Sequence, residues 1–160
     1  MKRPRTDPLV APFTIVVDGQ EKHPWRFTGL RQEVIVATEW RHLKTGDYSI
    51  AGFEHAIAIE RKSLQDLFGT LGGGRDRFRA EHERLAAMDR AAIVVEADWS
   101  DVTDFPPERS KLNPLSVQGT ANAWFARFGV PWFFRSTRLD AEQCAFDILR
   151  FYWEKTHDDA

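Results

Sequence analysis

The sequence IERKSLQDL, Ile59–Leu67, joins a predicted strand to a predicted helix. The residues before it, from Ala56, are apolar and favour an extended strand that ends at Glu60. Ser63 and Asp66 then have the spacing of a helix capping box. Apolar side chains follow at helical spacing, at Leu64, Leu67, Phe68 and Leu71. The triplet Glu-Arg-Lys is therefore predicted to lie at the end of a strand, just before a helix begins.

Glu60 and Lys62 are two positions apart, so on an extended strand their side chains point to the same side of the sheet, while Arg61 points to the other. Gly46 and Asp47 begin the preceding strand of a predicted hairpin, which brings the Asp47 carboxylate towards Glu60. Two such carboxylates favour a cation such as Mg²⁺ between them, and a neighbouring lysine helps to orient a water or to neutralise a phosphate. This pattern indicates phosphodiester hydrolysis. The alternative is that Asp47 is a turn residue and that Glu60 and Lys62 form a solvated strand edge.

Strands and helices alternate along the rest of the chain. The predicted strands are Phe13–Val17, Glu33–Thr38, Asp47–Ala51, Ala56–Glu60, Ala91–Ala97 and Val130–Phe134. Helices are predicted from Ser63, from near Arg75, around Val117–Phe128 and from Asp140 onwards, and Trp99–Lys111 is predicted to be a polar, mobile loop. This order predicts an α/β fold in which helices cover both faces of a mixed central sheet.

Length and composition indicate one globular domain. The chain has 160 residues, of which 42% are hydrophobic, and its formal net charge is -2. Its single cysteine, Cys144, excludes an intramolecular disulfide and a cysteine-based zinc site. No apolar run approaches the roughly 20 residues that span a bilayer, so we expect a cytoplasmic protein without membrane association. We expect a basic flexible arm over residues 1–12, a domain over 13–156 and a disordered tail over 157–160.

The same stretch resembles the nuclease domain of the XPF family of structure-specific endonucleases, which belong to the restriction-endonuclease-like PD-(D/E)xK superfamily. That family has the signature GD-x(n)-ERK-x3-D, and this chain matches it with the GDY of Gly46–Tyr48 and with ERKSLQD. The resemblance also includes IVVD at Ile15–Asp18, the strand ending at Glu96 and SVQGT at Ser116–Thr120. It implies a restriction-endonuclease-like three-layer fold and a DNA endonuclease that depends on Mg²⁺ or Mn²⁺.

Position by position, the resemblance implies a set of site residues. The implied metal ligands are Asp18, Asp47 and Glu60, and the implied catalytic set adds Arg61, Lys62 and Asp66. Lys62 would be the catalytic lysine and would also contact DNA. Arg61 and Asp66 would complete or support the site.

Some of the matched residues have a structural alternative. Asp66 is the third residue of the predicted helix, where a carboxylate is favoured by the helix dipole in any protein. Arg61 could be an ionic partner of Asp66 or of the helix. Glu21 matches the acidic end of the family's D-x-R-E element, where it would support the site, or it is a surface turn residue. Gln20 replaces the arginine of that element, a departure that would weaken DNA contact or reorient the first acidic residues.

Positive charge is concentrated after the triple glycine Gly72–Gly74. From Arg61 to Arg90 the chain has seven lysines and arginines against five acidic residues, whereas the segment from Leu139 onwards has two against six. We expect the basic side to contact the DNA backbone through Arg75, Arg77 and Arg79. The alternative is a solvated helix in which these arginines pair with Glu81 and Glu83.

The resemblance also implies the partners. The substrate would be branched or flapped DNA near a junction of duplex and single strand, cut by in-line attack of water on the scissile phosphate. The aromatic run Phe151–Trp153 in the last helix favours contact with a second chain, so we expect a homodimer. A core without the helix-hairpin-helix domain of cellular XPF proteins would suit a bacterial or phage genome. The alternatives are a non-catalytic DNA-binding or scaffolding subunit with this fold, or a nuclease of the superfamily that acts on plain duplex or single-stranded ends.

Overall fold

The computed structural model describes residues 8–158, which form a six-stranded sheet and five helices. The strands are β1 (Val10–Asp18), β2 (Ile35–Arg41), β3 (Tyr48–Ile50), β4 (Ile57–Ser63), β5 (Arg90–Glu96) and β6 (Trp132–Phe134). The helices are α1 (Leu64–Leu71), α2 (Arg75–Ala86), α3 (Trp99–Asp104), α4 (Pro114–Phe128) and α5 (Arg138–Asp158). None of the helices within 8–158 combines the length and the apolar character needed to cross a bilayer.

The sheet is mixed, as predicted. Its strand order is β2-β1-β3-β4-β5-β6. β3 runs antiparallel to both of its neighbours, which confirms the predicted β3–β4 hairpin, and the other three pairs are parallel. Because β4 and β5 are parallel, their last residues, Ser63 and Glu96, meet at one edge of the sheet.

Helices cover both faces of the sheet, which confirms the three-layer α/β architecture. α5 packs on one face, where Ala145, Phe146 and Leu149 contact the strands. The other four helices pack on the opposite face through residues such as Leu67, Phe78 and Trp124. Alternate residues of β4 therefore enter different cores, with Ile57 and Ile59 on the α5 side and Ala58 on the other.

The junction between β4 and α1 follows the prediction. The Ser63 hydroxyl accepts a hydrogen bond from the Asp66 amide at 3.1 Å and so caps the first turn of α1. Leu67, Phe68 and Leu71 are buried beneath the helix. The strand thus ends and the helix begins where the capping residue and the apolar spacing indicate.

The predicted mobile loop at Trp99–Lys111 is wrong in its first half, because Trp99–Asp104 forms α3. Asp98 caps this helix, and the Asp101 carboxylate accepts a hydrogen bond from the Asp98 amide in return. Val102 is fully buried and holds α3 against the domain. A reciprocal cap and one buried residue are sufficient for a short helix in a segment that is otherwise polar.

The domain boundaries also differ from the expected ones. Residues 10–12, predicted as part of the arm, belong to β1, and the arm's residues 1–7 lie outside the described part of the chain. His157 and Asp158, predicted as part of a disordered tail, belong to α5, where the His157 ring stacks on Trp153 at 3.8 Å between centroids. Residues 159–160 lie outside the described part.

Candidate active site

A buried charged cluster lies at the C-terminal end of β4, on the face that α1 and α2 cover. The Lys62 ammonium donates a hydrogen bond to the Glu60 carboxylate at 2.9 Å, and both residues are buried. Asp47, immediately before β3, accepts a hydrogen bond from the backbone amide of Arg61 at 2.8 Å. The two carboxylates and the lysine predicted to act together are therefore brought to one place.

Gly46 explains why Asp47 lies there. Its φ of +75° is a conformation that glycine adopts readily, and a Cβ at this position would lie 2.9 Å from the Ala58 Cβ. The chain can therefore lie directly against β4, where the Asp47 amide donates to the Ile59 carbonyl oxygen at 2.8 Å. A glycine at position 46 is therefore required for this close approach.

Burial makes negative charge unfavourable in this cluster. It raises the pKa of Asp47 to about 7, although the hydrogen bond from the Arg61 amide opposes the shift. Burial, and then the charge of Asp47, raise the pKa of Glu60 well above its usual value. Burial lowers the pKa of Lys62, but the carboxyl groups of Glu60, Glu81 and Asp47 together outweigh this effect, and the pKa is raised. Without a metal, the protein therefore holds a protonated lysine beside two carboxyl groups whose pKa values are raised.

The donor set fits a hard divalent cation. The side chains of Asp47 and Glu60 offer carboxylate oxygens, which Mg²⁺ and Mn²⁺ prefer, and a bound cation would offset the cost of burying both charges. Within residues 8–158, however, no three side chains of His, Cys, Asp or Glu are already arranged as a metal site. The protein provides the carboxylates without a complete coordination sphere.

Asp18 approaches the cluster through its backbone rather than through its carboxylate. Its amide donates to the Asp47 carbonyl oxygen at 2.8 Å. Its carboxylate accepts a hydrogen bond from the Leu43 amide at 3.0 Å and lies 3.9 Å from the His42 imidazole. The structure thus places Asp18 beside the site with its carboxylate towards the segment after β2, and its role as a metal ligand stays a prediction.

Arg61 lies in a second network on the α5 face of the sheet. Its guanidinium forms two hydrogen bonds with the Glu96 carboxylate, at 2.7 and 3.0 Å, and lies 3.4 Å from Glu21. Glu96 also accepts hydrogen bonds from the Trp25 indole at 2.8 Å and from Arg138 at 3.2 Å. The ionic partners of Arg61 are therefore Glu96 and Glu21 instead of Asp66, and this network joins β4, β5, α5 and the segment after β1.

The remaining predicted site residues have simpler surroundings. Asp66 is exposed; its amide donates the capping bond to the Ser63 hydroxyl, and its carbonyl oxygen accepts a hydrogen bond from the Thr70 hydroxyl at 2.9 Å. Gln20 is exposed in the turn after β1. Beside the site, the aromatic residues Tyr48 and Trp25 are buried and stacked at 4.8 Å between centroids, so they belong to the core.

Sequence reasoning missed Glu81 as a candidate site residue. The solvated alternative pairs it with an arginine on the surface of α2, but burial, the charge of Asp47 and a hydrogen bond with the Glu81 carboxyl group all raise the pKa of Glu60. The available signal was its position three residues after the apolar Phe78, because two residues at this spacing lie on one helix face.

The three arginines of α2 differ in their contacts. The Arg75 guanidinium donates to the Thr120 hydroxyl at 3.2 Å and lies over the Trp124 ring at 5.1 Å, which ties α2 to α4. Arg79 is 4.0 Å from Glu83 on the same helix, in the arrangement of the solvated alternative. Arg77 is exposed. The first residue therefore has a structural role whether or not it also meets a phosphate.

Comparison with known proteins supports this description. XPF from Aeropyrum pernix superposes with a TM-score of 0.67 at 21% sequence identity, covering 91% of this chain and 67% of that one. XPF from Aeropyrum pernix in complex with DNA gives a TM-score of 0.64 at 21% identity, covering 90% and 66%. At these identities the similarity establishes the fold. No curated protein matches the sequence significantly. The ERCC4 domain family matches residues 17–143, most of the chain, and this chain therefore belongs to the ERCC4 domain family.

Proposed function

We propose that this chain is a divalent-metal-dependent endonuclease that hydrolyses phosphodiester bonds in DNA. The observation that carries the proposal is the placement of Asp47, Glu60 and Lys62 in one cluster at the end of β4. Membership of the ERCC4 domain family supports a nuclease, and the DNA bound to the similar Aeropyrum pernix protein supports DNA as the substrate. Because side chains alternate along β4, Glu60 and Lys62 lie on the same face of the sheet without any rearrangement.

The cluster assigns a task to each side chain. A bound Mg²⁺ or Mn²⁺ would supply Lewis-acid stabilisation of the charge that develops on the phosphate. Asp47, fixed by the Arg61 amide, and Glu60 would hold this ion. Lys62, kept protonated by Glu60, orients the attacking water or neutralises a phosphate oxygen in the transition state. Water then attacks the phosphorus in line with the leaving oxygen.

We further propose that the preferred substrates are branched or flapped DNA. This step rests on the resemblance to structure-specific endonucleases. The test is a cleavage panel of flap, fork, four-way junction, plain duplex and single strand, each with Mg²⁺, Mn²⁺ or EDTA. Cleavage of flap or fork in excess of the other substrates, abolished by EDTA, is expected. Equal cleavage of plain duplex or single-stranded ends would support the less specific nuclease instead.

The site assignment is tested by Glu60→Gln and Lys62→Ala. Each substitution removes a charge that contacts the metal or the phosphate, so we expect cleavage to fall by about 100-fold or more while DNA affinity changes little. Glu83→Gln, on the exposed surface of α2, is the control and should cleave at the wild-type rate. Wild-type cleavage by Glu60→Gln or Lys62→Ala in Mg²⁺ would show that the chemistry lies elsewhere.

One residue favours a second candidate, a non-catalytic DNA-binding or scaffolding subunit. Gln20 stands where the family's D-x-R-E element has arginine, and it lies in the turn just after Asp18. Binding of forked DNA without cleavage in Mg²⁺ or Mn²⁺, together with cleavage gained by Gln20→Arg, would establish this alternative.

We also propose that the chain forms a homodimer. β6 is an edge strand, and beside it the aromatic ring of Phe151 on α5 is 57% exposed. Phe133 and Ile148 line the same surface depression as Phe151. An exposed aromatic ring beside partly buried apolar residues favours contact with a second chain.

A further inference from the structure

The orientation of α2 is fixed by two contacts on either side of Glu81. The Phe78 ring lies beneath the Lys62 ammonium, 4.9 Å from its centroid. The His82 ring is fully buried, and its Nε2 accepts a hydrogen bond from the Trp132 indole at 2.9 Å. Because residues three apart share a helix face, a helix anchored through Phe78 directs Glu81 towards β4.

Glu81 consequently faces the charged cluster. Besides burial and the charge of Asp47, a hydrogen bond with the Glu81 carboxyl group raises the pKa of Glu60, and the charge of Glu81 raises the pKa values of Lys62 and Asp47. Among the ion pairs formed by residues 8–158, α2 contributes Arg79–Glu83 but no pair between Arg77 and Glu81. The solvated alternative pairs Glu81 with Arg77, and the described ion pairs do not include this one.

Two carboxyl groups in contact need a proton or a cation between them. Lys62 supplies one positive charge to three carboxylates, those of Asp47, Glu60 and Glu81, and the surplus of negative charge matches one divalent cation. Glu81 is also less buried than Glu60, which leaves its side chain room to rotate when an ion enters. Such a rotation would complete a coordination sphere that Asp47 and Glu60 begin.

We propose that Glu81 is a ligand of the divalent cation, supplied by α2 in addition to the residues of the ERK motif. This inference rests on the proposed metal-dependent function and identifies one more residue of the same site. It assigns α2 a second task besides carrying basic residues, because binding of the ion would join this helix to the strand that carries Glu60.

The test is Mn²⁺ binding measured by calorimetry on the EDTA-stripped, dialysed full chain, without DNA. We compare the wild type, Glu81→Gln and the matched variant Glu83→Gln, which lies two residues away on the exposed side of the helix. We expect Glu81→Gln to weaken Mn²⁺ binding by at least about tenfold, the lower end of the loss seen even for residues that only support a ligand. Glu83→Gln should bind like the wild type.

Thermal melts with and without Mn²⁺ separate a ligand from a structural residue. In the metal-free protein Glu81→Gln should melt at or above the wild-type temperature, because it relieves the contact between two carboxyl groups, and it should lose the stabilisation that Mn²⁺ gives. If Glu81→Gln binds Mn²⁺ with wild-type affinity, with or without a lower melting temperature, Glu81 is not a ligand. The proposed metal-dependent function is unaffected by that result. No Mn²⁺ binding by the wild type would overturn the proposed metal-dependent function as well.

Discussion

Asp47 shows how one buried carboxyl group links stability to pH. Its pKa in the folded protein is raised from 3.8 to about 7, primarily by burial. A raised folded-state pKa means that its stabilising contribution is complete below the unfolded value of 3.8 and is lost as the pH rises through about 7. The metal-free protein is therefore weakened at alkaline pH by the residue that the proposed cation needs.

We expect Asp47→Asn to raise the melting temperature in EDTA at pH 8 and to have a much smaller effect at pH 5. The amide cannot ionise, so it avoids the cost that the carboxylate incurs above its pKa. Each kcal/mol regained should appear as about 2–4 °C. Asp104→Asn, at an exposed position in α3, is the control and should show no such pH dependence. An equal change at both pH values for Asp47→Asn would contradict the raised pKa.

Alanine substitutions at Gly46 and Gly52 separate the cost of backbone strain from the cost of side-chain crowding. Both have positive φ, but a Cβ at Gly46 meets Ala58 at 2.9 Å, whereas a Cβ at Gly52 meets no atom within 4 Å. Gly46→Ala should therefore cost about 1–3 kcal/mol more than Gly52→Ala in urea unfolding, because it adds overpacking to the same backbone strain. It should also reduce cleavage, since Asp47 is displaced. Equal stability and equal cleavage for the two variants would show that close approach at Gly46 is unimportant.

At the level of secondary structure, α2 combines anchoring and exposed charge. Arg75→Ala should lower the melting temperature, because it removes the contacts to Thr120 and Trp124 on α4. Arg77→Ala should leave the melting temperature unchanged, weaken DNA binding and reduce the slope of log affinity against log salt by about 1. Fluorescence anisotropy on forked DNA at several salt concentrations provides this measurement. A wild-type slope for Arg77→Ala would remove this residue from the DNA contact.

Local rules explain which elements were predictable. The β4–α1 junction has a capping serine and an apolar stripe close together in sequence, so its boundary follows from neighbouring residues alone. α3 has a cap at Asp98 but a single buried residue, Val102, and its helical state depends on packing that the sequence does not display. Glu81 follows the buried Phe78 by three positions, but its neighbour Glu60 belongs to a strand 21 positions earlier.

For the whole molecule, we predict which face of the sheet forms the interface of the proposed homodimer. Phe151 on α5 and Phe125 on α4 are similarly exposed, at 57% and 53%, but lie on opposite sides of the sheet. Sedimentation equilibrium at tens of micromolar should find a dimer for the wild type and for Phe125→Asp, and a monomer for Phe151→Asp. A monomeric wild type would refute the dimer. A dimer disrupted only by Phe125→Asp would move the interface to the other face.

The fold of the whole molecule was easier to predict from the sequence than the arrangement of its site. Alternating strands and helices were sufficient to predict a mixed sheet covered on both faces. The surroundings of Asp18 and Arg61 were not, because Leu43 and Glu96 reach them through strand pairings that no local pattern specifies. The resemblance identified the residues of the motif without specifying which side of the sheet each one serves.

The division of the ERK triplet between two faces has an evolutionary consequence. Glu60 and Lys62 lie on the side of the proposed chemistry, whereas Arg61 is held by Glu96 and joins the layers of the fold. A single substitution at Glu60 or Lys62 would therefore remove the proposed cutting function and leave the contacts of Arg61 in place. A duplicated copy of such a gene has a short path from enzyme to inactive partner, and selection on folding alone would preserve the arginine after the flanking residues had drifted.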